Sequence, residues 1–157
     1  MLQSMRLGVV FAGLLCLAGC VKPPPPKDYT TFRAADPKSM VVVPVINHSV
    51  YVNAPDYFLS TITRPLAERG YYVFPVHMVK RLLEDDGLSD ADLVHNAKTA
   101  KLASLFGADS VLYITIERWD SQYVVLATTT TVEINYVLKD SKTAERVNNN
   151  ETAGLRD

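Results

Sequence analysis

Two apolar runs rich in β-branched residues constrain this chain more than any other feature. Ser39 to Ile46 reads SMVVVPVI, and Ser110 to Ile116 reads SVLYITI. The first is almost continuously apolar, the pattern of a strand buried on both faces. Pro44 inside it cannot donate to a ladder, so one hydrogen bond is expected to be missing there. The second is the strongest strand signal in the chain, and it continues with less apolar character through Glu117, Arg118 and Trp119.

The residues between these runs carry helical spacing. Asn53 is placed to cap a helix, with Pro55 and Asp56 in its first turn and Tyr57, Phe58, Ile62, Leu66 and Ala67 repeating along it. Pro65 predicts a kink or break near Thr63, and Gly70 ends the segment. Tyr71 to Phe74 reads as a short strand. Pro75 starts a second helix, with Val76, Val79, Leu82 and Leu83 on one side and Lys80 and Arg81 on the other; Gly87 closes it. Ser89 to Asp92 resembles a capping box. The third helix it opens runs through Leu93, Ala97, Ala100, Leu102 and Phe106 to Gly107.

Asp120-Ser121-Gln122 reads as a turn, followed by a long strand from Tyr123 to Leu138. Val132, Ile134, Tyr136 and Leu138 share one face of that strand, and Thr131, Glu133 and Asn135 the other. The order β-α-β-α-α-β-β implies right-handed crossovers and a terminal hairpin. The expected fold is α/β, a mixed β-sheet with helices packed on one face, spanning residues 39–140. Residues 141–157 show no apolar alternation and read as a polar, disordered tail, which would leave the strand ending near Leu138 with an unpaired edge.

The amino-terminal end is an address rather than a fold. Arg6 precedes an eleven-residue apolar run, Leu7 to Leu17. That is too short to span a bilayer, which needs about 20 residues, but it suits the apolar core of a secretory signal. The run ends in Leu17-Ala18-Gly19-Cys20, which resembles the bacterial lipobox. The resemblance implies cleavage after Gly19, so that 1–19 is a signal peptide, and a diacylglyceryl thioether with N-acylation at Cys20. Val21, not Asp, follows the cysteine, which by the same resemblance points to the outer membrane. Residues 20–38 form the acylated cysteine and a tether whose Pro23–Pro26 favour polyproline II. Cys16 and Cys20 are the chain's two cysteines, so the body of the chain has no disulfide framework and no thiolate metal site.

Charged residues make up 21% of the chain and the formal net charge is −1. That balance excludes a polybasic nucleic-acid binder. No dinucleotide, P-loop, zinc-protease or nucleophile-elbow motif is present. His48, His77 and His95 are dispersed, and the acidic run Glu84-Asp85-Asp86 lacks calcium-loop spacing. The expectation is a protein that is not an enzyme, with no catalytic residues, no metal and no cofactor beyond the covalent lipid. One constellation points to partner binding: Tyr51, Tyr57 and Phe58, around the loop after the first strand, where α/β sheets commonly bind and where aromatics make strong interface contacts.

The stretches TRPLAERGYYVFPV (Thr63 to Val76) and LFGADSVLYITIERW (Leu105 to Trp119), together with the lipobox, resemble a proteobacterial family of lipoproteins of unknown function that includes a neisserial surface-antigen candidate. The resemblance covers residues 1 to about 143. It implies a fold similar to the amino-terminal domain of TolB, to LpoB and to CsgG-like lipoproteins. It also implies a non-enzymatic accessory role in an envelope transport or secretion assembly, facing the periplasm or the cell surface. The implied partners are the membrane, through the acyl chains, CsgG-like lipoproteins and further copies of the chain. A regulator of peptidoglycan synthesis of the LpoB type is the alternative, and a small-ligand-binding lipoprotein the third reading. The chain departs from the family after Thr143, where a glycine turn and a Trp-bearing strand would follow.

Overall fold

The computed structural model describes residues 28–124, 127–147 and 151–156, with backbone alone for 122–124, 127–128 and 151–156. Cys20, the lipobox residues Leu17, Ala18 and Gly19, the apolar run before them and tether residues 21–27 lie outside the described residues. The chain forms α1 (Thr30–Ala35), β1 (Ser39–Val42), β2 (Ile46–Asn47), α2 (Ala54–Glu68), β3 (Tyr72–Val73), α3 (Val76–Asp85), α4 (Ala91–Asn96), α5 (Thr99–Phe106), β4 (Ser110–Val124), β5 (Ala127–Asp140) and β6 (Glu151–Arg156).

The strands make one sheet in the order β3-β1-β4-β5-β6, with β2 also beside β4. Strands β3, β1, β2 and β4 run parallel, whereas β4, β5 and β6 pair antiparallel. The α/β class and the mixed sheet expected from the sequence are borne out.

The helices cover both faces of the sheet rather than the expected single face. Met40, Val42, Leu112, Ile114 and Ile116 point to one side, against Phe58, Leu59, Ile62 and Leu66 of α2 and Phe32 of α1. Val41, Val43, Val111 and Tyr113 point to the other, against Val79 and Leu83 of α3, Val94 of α4 and Leu102 of α5. Topology dictates this arrangement. The crossover from β1 moves outward to β3, and the next one moves back past β1 to β4. Two right-handed crossovers running in opposite directions must lie on opposite faces. Each fully buried Leu, Ile or Val contributes about 1.5–3 kcal/mol, so both layers hold the sheet.

Several local expectations shift. Pro44 divides the first strand: Val42 faces Leu112 and Ile46 faces Thr115, so four steps along this strand match three on β4. The extra residue turns Val45 to the same side as Val42. Helix α2 passes through Pro65 without breaking near Thr63. Pro65 opens the last turn, so one bond, to the Thr61 carbonyl, is forfeited. The third predicted helix is two, α4 and α5, because Ala97 and Lys98 are extended between them. At the end of α4, Asn96 Nδ2 donates to the Asp92 carbonyl at 2.8 Å, competing with helix continuation. Leu82 and Leu93, read as core positions, are exposed, whereas Val79, Leu83 and Val94 are buried.

The turn expected at Asp120–Gln122 is instead strand. β4 continues to Val124, and its register with β5 extends from Ser110↔Asp140 to Val124↔Ala127. The 120–122 stretch holds no glycine or proline, while the Thr128–Thr131 run opposite is β-branched and extends readily; Ser121 and Thr130 bring their hydroxyls to 3.2 Å.

Two terminal expectations also change. Within the stretch read as tether, Thr30–Ala35 is helical, anchored by Phe32 edge-on against Tyr71. Within the stretch read as a disordered tail, Val147 donates its N–H to the Leu138 carbonyl, and Glu151–Arg156 pairs with β5 from Tyr136 to Thr131. The edge of β5 is therefore covered. Backbone pairing at a sheet edge needs no apolar alternation, which is why composition alone missed it.

Candidate functional site

The predicted aromatic constellation lies at the junction of β2, α2 and β4. Strand β2 ends at Asn47, and the His48 N–H reaches the Ile116 carbonyl at 2.8 Å, holding the loop against β4. The Asn47 side chain shapes the loop: its Oδ1 accepts from the Ser49 N–H at 3.1 Å and the Ser49 hydroxyl at 2.7 Å, and its Nδ2 donates to the Tyr51 carbonyl at 3.0 Å. Such side-chain-to-backbone bonds fix a short loop without secondary structure.

The loop presents Tyr51 to two further aromatic rings. Tyr57, from the first turn of α2, stacks on it at 6.0 Å between centroids. Trp119 of β4 also stacks on it, at 6.5 Å. Hydrogen bonding to Tyr57 pushes the Tyr51 hydroxyl above its ordinary pKa. Around the stack, Val50 and Val52 are 86% and 84% exposed, Tyr57 56% and Tyr51 41%. Phe58 does not join this surface: at 8% exposure it is a core residue packed against Tyr136, and its place among the partner-binding candidates is corrected. Neighbouring positions on a helix point about 100° apart, and here that step carries the chain from the exposed Tyr57 to the core-facing Phe58.

Trp119 is the member that sequence reasoning missed, and a β-bulge puts it there. The β4–β5 register slips between Ile116 and Arg118, leaving Glu117 as the extra residue. Without the slip, period-two alternation would send Trp119 to the face of Val111 and Tyr113. With it, Trp119 pairs with Val132 and packs on the side of Ile116 and Ile134. The bulged Glu117 is held by His48 Nδ1 at 2.9 Å and Asn135 Nδ2 at 2.9 Å. The His48 bond, with that from Asn135 and against some burial, holds its carboxyl below the usual range. The adjacent charges at Glu117 and Arg118, interrupting an apolar strand, were the available signal.

A separate cleft of about 440 Å³ opens beyond the carboxyl end of β1. Val42, Val45, Pro55, Leu59 and Val76 form its apolar wall, and Asp56, His77 and Lys80 stand on its rim. His77 is here, whereas His95 packs on Tyr113 across the sheet. Among the described residues no group of three or more His, Cys, Asp or Glu converges, and no helix is long and apolar enough to cross a membrane.

The chain is 37% identical over 147 residues to a lipoprotein of Neisseria meningitidis serogroup B, covering 93% of this chain and 67% of that one. It superimposes on the crystal structure of lipoprotein GNA1162 from Neisseria meningitidis with a TM-score of 0.70 and 36% identity, over 77% of this chain and 83% of the other. The LpoB carboxy-terminal domain from Salmonella enterica shares the fold, with a TM-score of 0.53 and 16% identity over 76% of this chain and 83% of that domain. Residues 27–154 match the family described as "Putative lipoprotein GNA1162-like", and the chain belongs to that family.

Proposed function

We propose that this protein is a lipid-anchored, non-enzymatic accessory subunit of an envelope transport or secretion assembly, held to the outer membrane through Cys20 and docking a partner lipoprotein through the Tyr57–Tyr51–Trp119 stack. The observation that carries the docking role is the exposed aromatic ladder flanked by Val50 and Val52. Aromatic side chains with little conformational freedom, held by a hydrogen-bonded loop, supply contact area at low entropic cost. Apolar surface gathered in one place, with Val50, Val52, Tyr51 and Tyr57 side by side, fits partner capture. Cys20 at the end of the apolar run supports the anchor. Three acyl chains, at about 0.8 kcal/mol per buried CH₂, hold far more firmly than one.

The test is site-specific photo-crosslinking in cells from position 57 of the lipidated chain, followed by mass spectrometry. The reading expects a second envelope lipoprotein of the CsgG-like kind. Recovery of no protein but the chain itself overturns the accessory-subunit reading. Recovery of a peptidoglycan synthase favours the LpoB-type role, for which the shared fold is by itself a weak warrant.

A further inference from the structure

The opposite face of the β4–β5 hairpin carries a second constellation, independent of the aromatic stack. Lys139 of β5 stands directly across from Arg146 in an antiparallel bridge. Residues paired in this way project to the same side, and like charges held opposite one another repel. Both line a small cleft of about 170 Å³ together with His95, Tyr113, Thr115, Asn135 and Val137, and no carboxylate lines it. Of the acids on the same face, Glu117 is already held by His48 and Asn135, and Glu133 stands across the ladder from Arg118. Lys139 Nζ sits 4.8 Å from the centroid of the Tyr113 ring, and neither Lys139 nor Arg146 forms an ion pair among the described residues.

His95 completes the arrangement. Its Nε2 lies 2.9 Å from the Pro44 carbonyl, which can only accept, so Nε2 carries the hydrogen and donates. Burial lowers the His95 pKa, with Lys139 acting in the same direction and the Pro44 bond and Asp92 against it. The cleft therefore gathers two fixed positive charges and a ring held back from becoming a third. Two fixed positive charges with no acid on the wall raise the local potential, which a bound anion relieves.

We propose that this cleft binds a phosphate group. Arg146 offers a planar fork matched to phosphate oxygens and Lys139 a point charge, the usual pairing for that ligand. The Thr115 hydroxyl adds a neutral donor. The volume is below that of pockets for drug-sized ligands, so a small anionic group is what enters. The same chemistry is offered by a phospholipid headgroup and by free phosphate.

The test uses the full chain in phosphate-free detergent micelles, reading the thermal unfolding midpoint. Inorganic phosphate, against chloride at equal ionic strength, should give a saturable rise of about 2–4 °C, as a ligand that binds only the folded state must. Lys139→Gln and Arg146→Gln should each remove the rise, while Lys139→Arg keeps it and shows that the fold tolerates change there. Micelles doped with phosphatidylglycerol distinguish the source. A weakened response to inorganic phosphate assigns the site to a headgroup, and an undiminished response assigns it to soluble phosphate. A rise of equal size in the wild type and both Gln variants overturns the proposal. So does an equal rise from acetate, or no response to phosphate in either form.

Discussion

Tyr51, in the loop before α2, lies stacked on Trp119 of β4, with ring centroids 6.5 Å apart and planes inclined by 12°. Trp119 is the only tryptophan in the chain, so the indole emission comes from this position. Tyr51→Ala uncovers one face of the indole. The expected outcome is a red shift of the emission and a loss of about 0.5–1.5 kcal/mol, the magnitude of an aromatic pair beyond its area. Fluorescence and denaturant unfolding of the variant check both; an unshifted spectrum means the stack does not form in solution.

The sequence carried the alternation of strands and helices between residues 39 and 140 but not the handedness-driven layering. Val41 and Val43 against Met40 and Val42 already implied two covered faces, yet placing helices on both required knowing that β3 and β4 flank β1 on opposite sides, a long-range fact. Tyr51 and Tyr57 were legible as neighbours because they are close along the chain. Trp119 was not, since its side of the sheet depends on the one-residue slip at Glu117. The strand at 151–156 was hidden because its stability rests on backbone bonds to β5 rather than on its own composition.

Tyr57 and Phe58 separate binding from stability. Phe58 is buried against Tyr136, so Phe58→Ala should cost about 3–5 kcal/mol and lower the amount of folded protein. Tyr57 is exposed on the stack, so Tyr57→Ala should leave the core intact and weaken partner capture about 30-fold, as for an interface residue worth 2 kcal/mol. Chemical denaturation of the two variants, run alongside crosslinking yield, distinguishes them. Equal losses of stability mean that Tyr57 is structural.

Asp109 ties the start of β1 to the start of β4. Its Oδ2 accepts from the Lys38 N–H, the Ser39 N–H and the Ser39 hydroxyl, at 3.0, 3.0 and 2.9 Å. The Ser39 hydroxyl bond, aided by the two backbone N–H groups and Lys142 and opposed by some burial, holds its carboxyl below the usual carboxylate range. A depressed carboxylate stabilises the fold fully above the unfolded-state pKa, and that contribution disappears as pH falls through the folded value. Asp109→Asn should therefore cost about 1–2 kcal/mol at neutral pH and flatten the decline of stability below about pH 4. Unfolding midpoints measured from neutral pH down to pH 3 test this; parallel curves for the two proteins contradict it.

Gly107 ends α5 in the left-handed region at φ 66 and ψ 31, and its N–H returns to the Ala103 carbonyl. A Cβ added there meets no atom within 4 Å, so strain rather than collision sets the cost of a side chain. Gly107→Ala should lose about 1–2 kcal/mol. Gly107→Asn should lose less, because asparagine tolerates this conformation. The ranking of the two by urea unfolding is the check, and equal stability of all three proteins rejects it.

His95 makes a complementary pH prediction. Burial, more than any other influence, lowers its pKa below the ordinary histidine value. Between the folded and unfolded values the unfolded chain binds the proton more readily, so stability rises with pH across that interval. The contribution is present above about pH 6.5 and is lost as pH falls from there through the lower folded value. His95→Gln removes the titration and can still donate to the Pro44 carbonyl. Its unfolding midpoint should decline less than that of the wild type as pH falls from about 7 through the interval just below 6.5. Wild-type and variant curves with the same slope over that interval contradict the buried, neutral histidine.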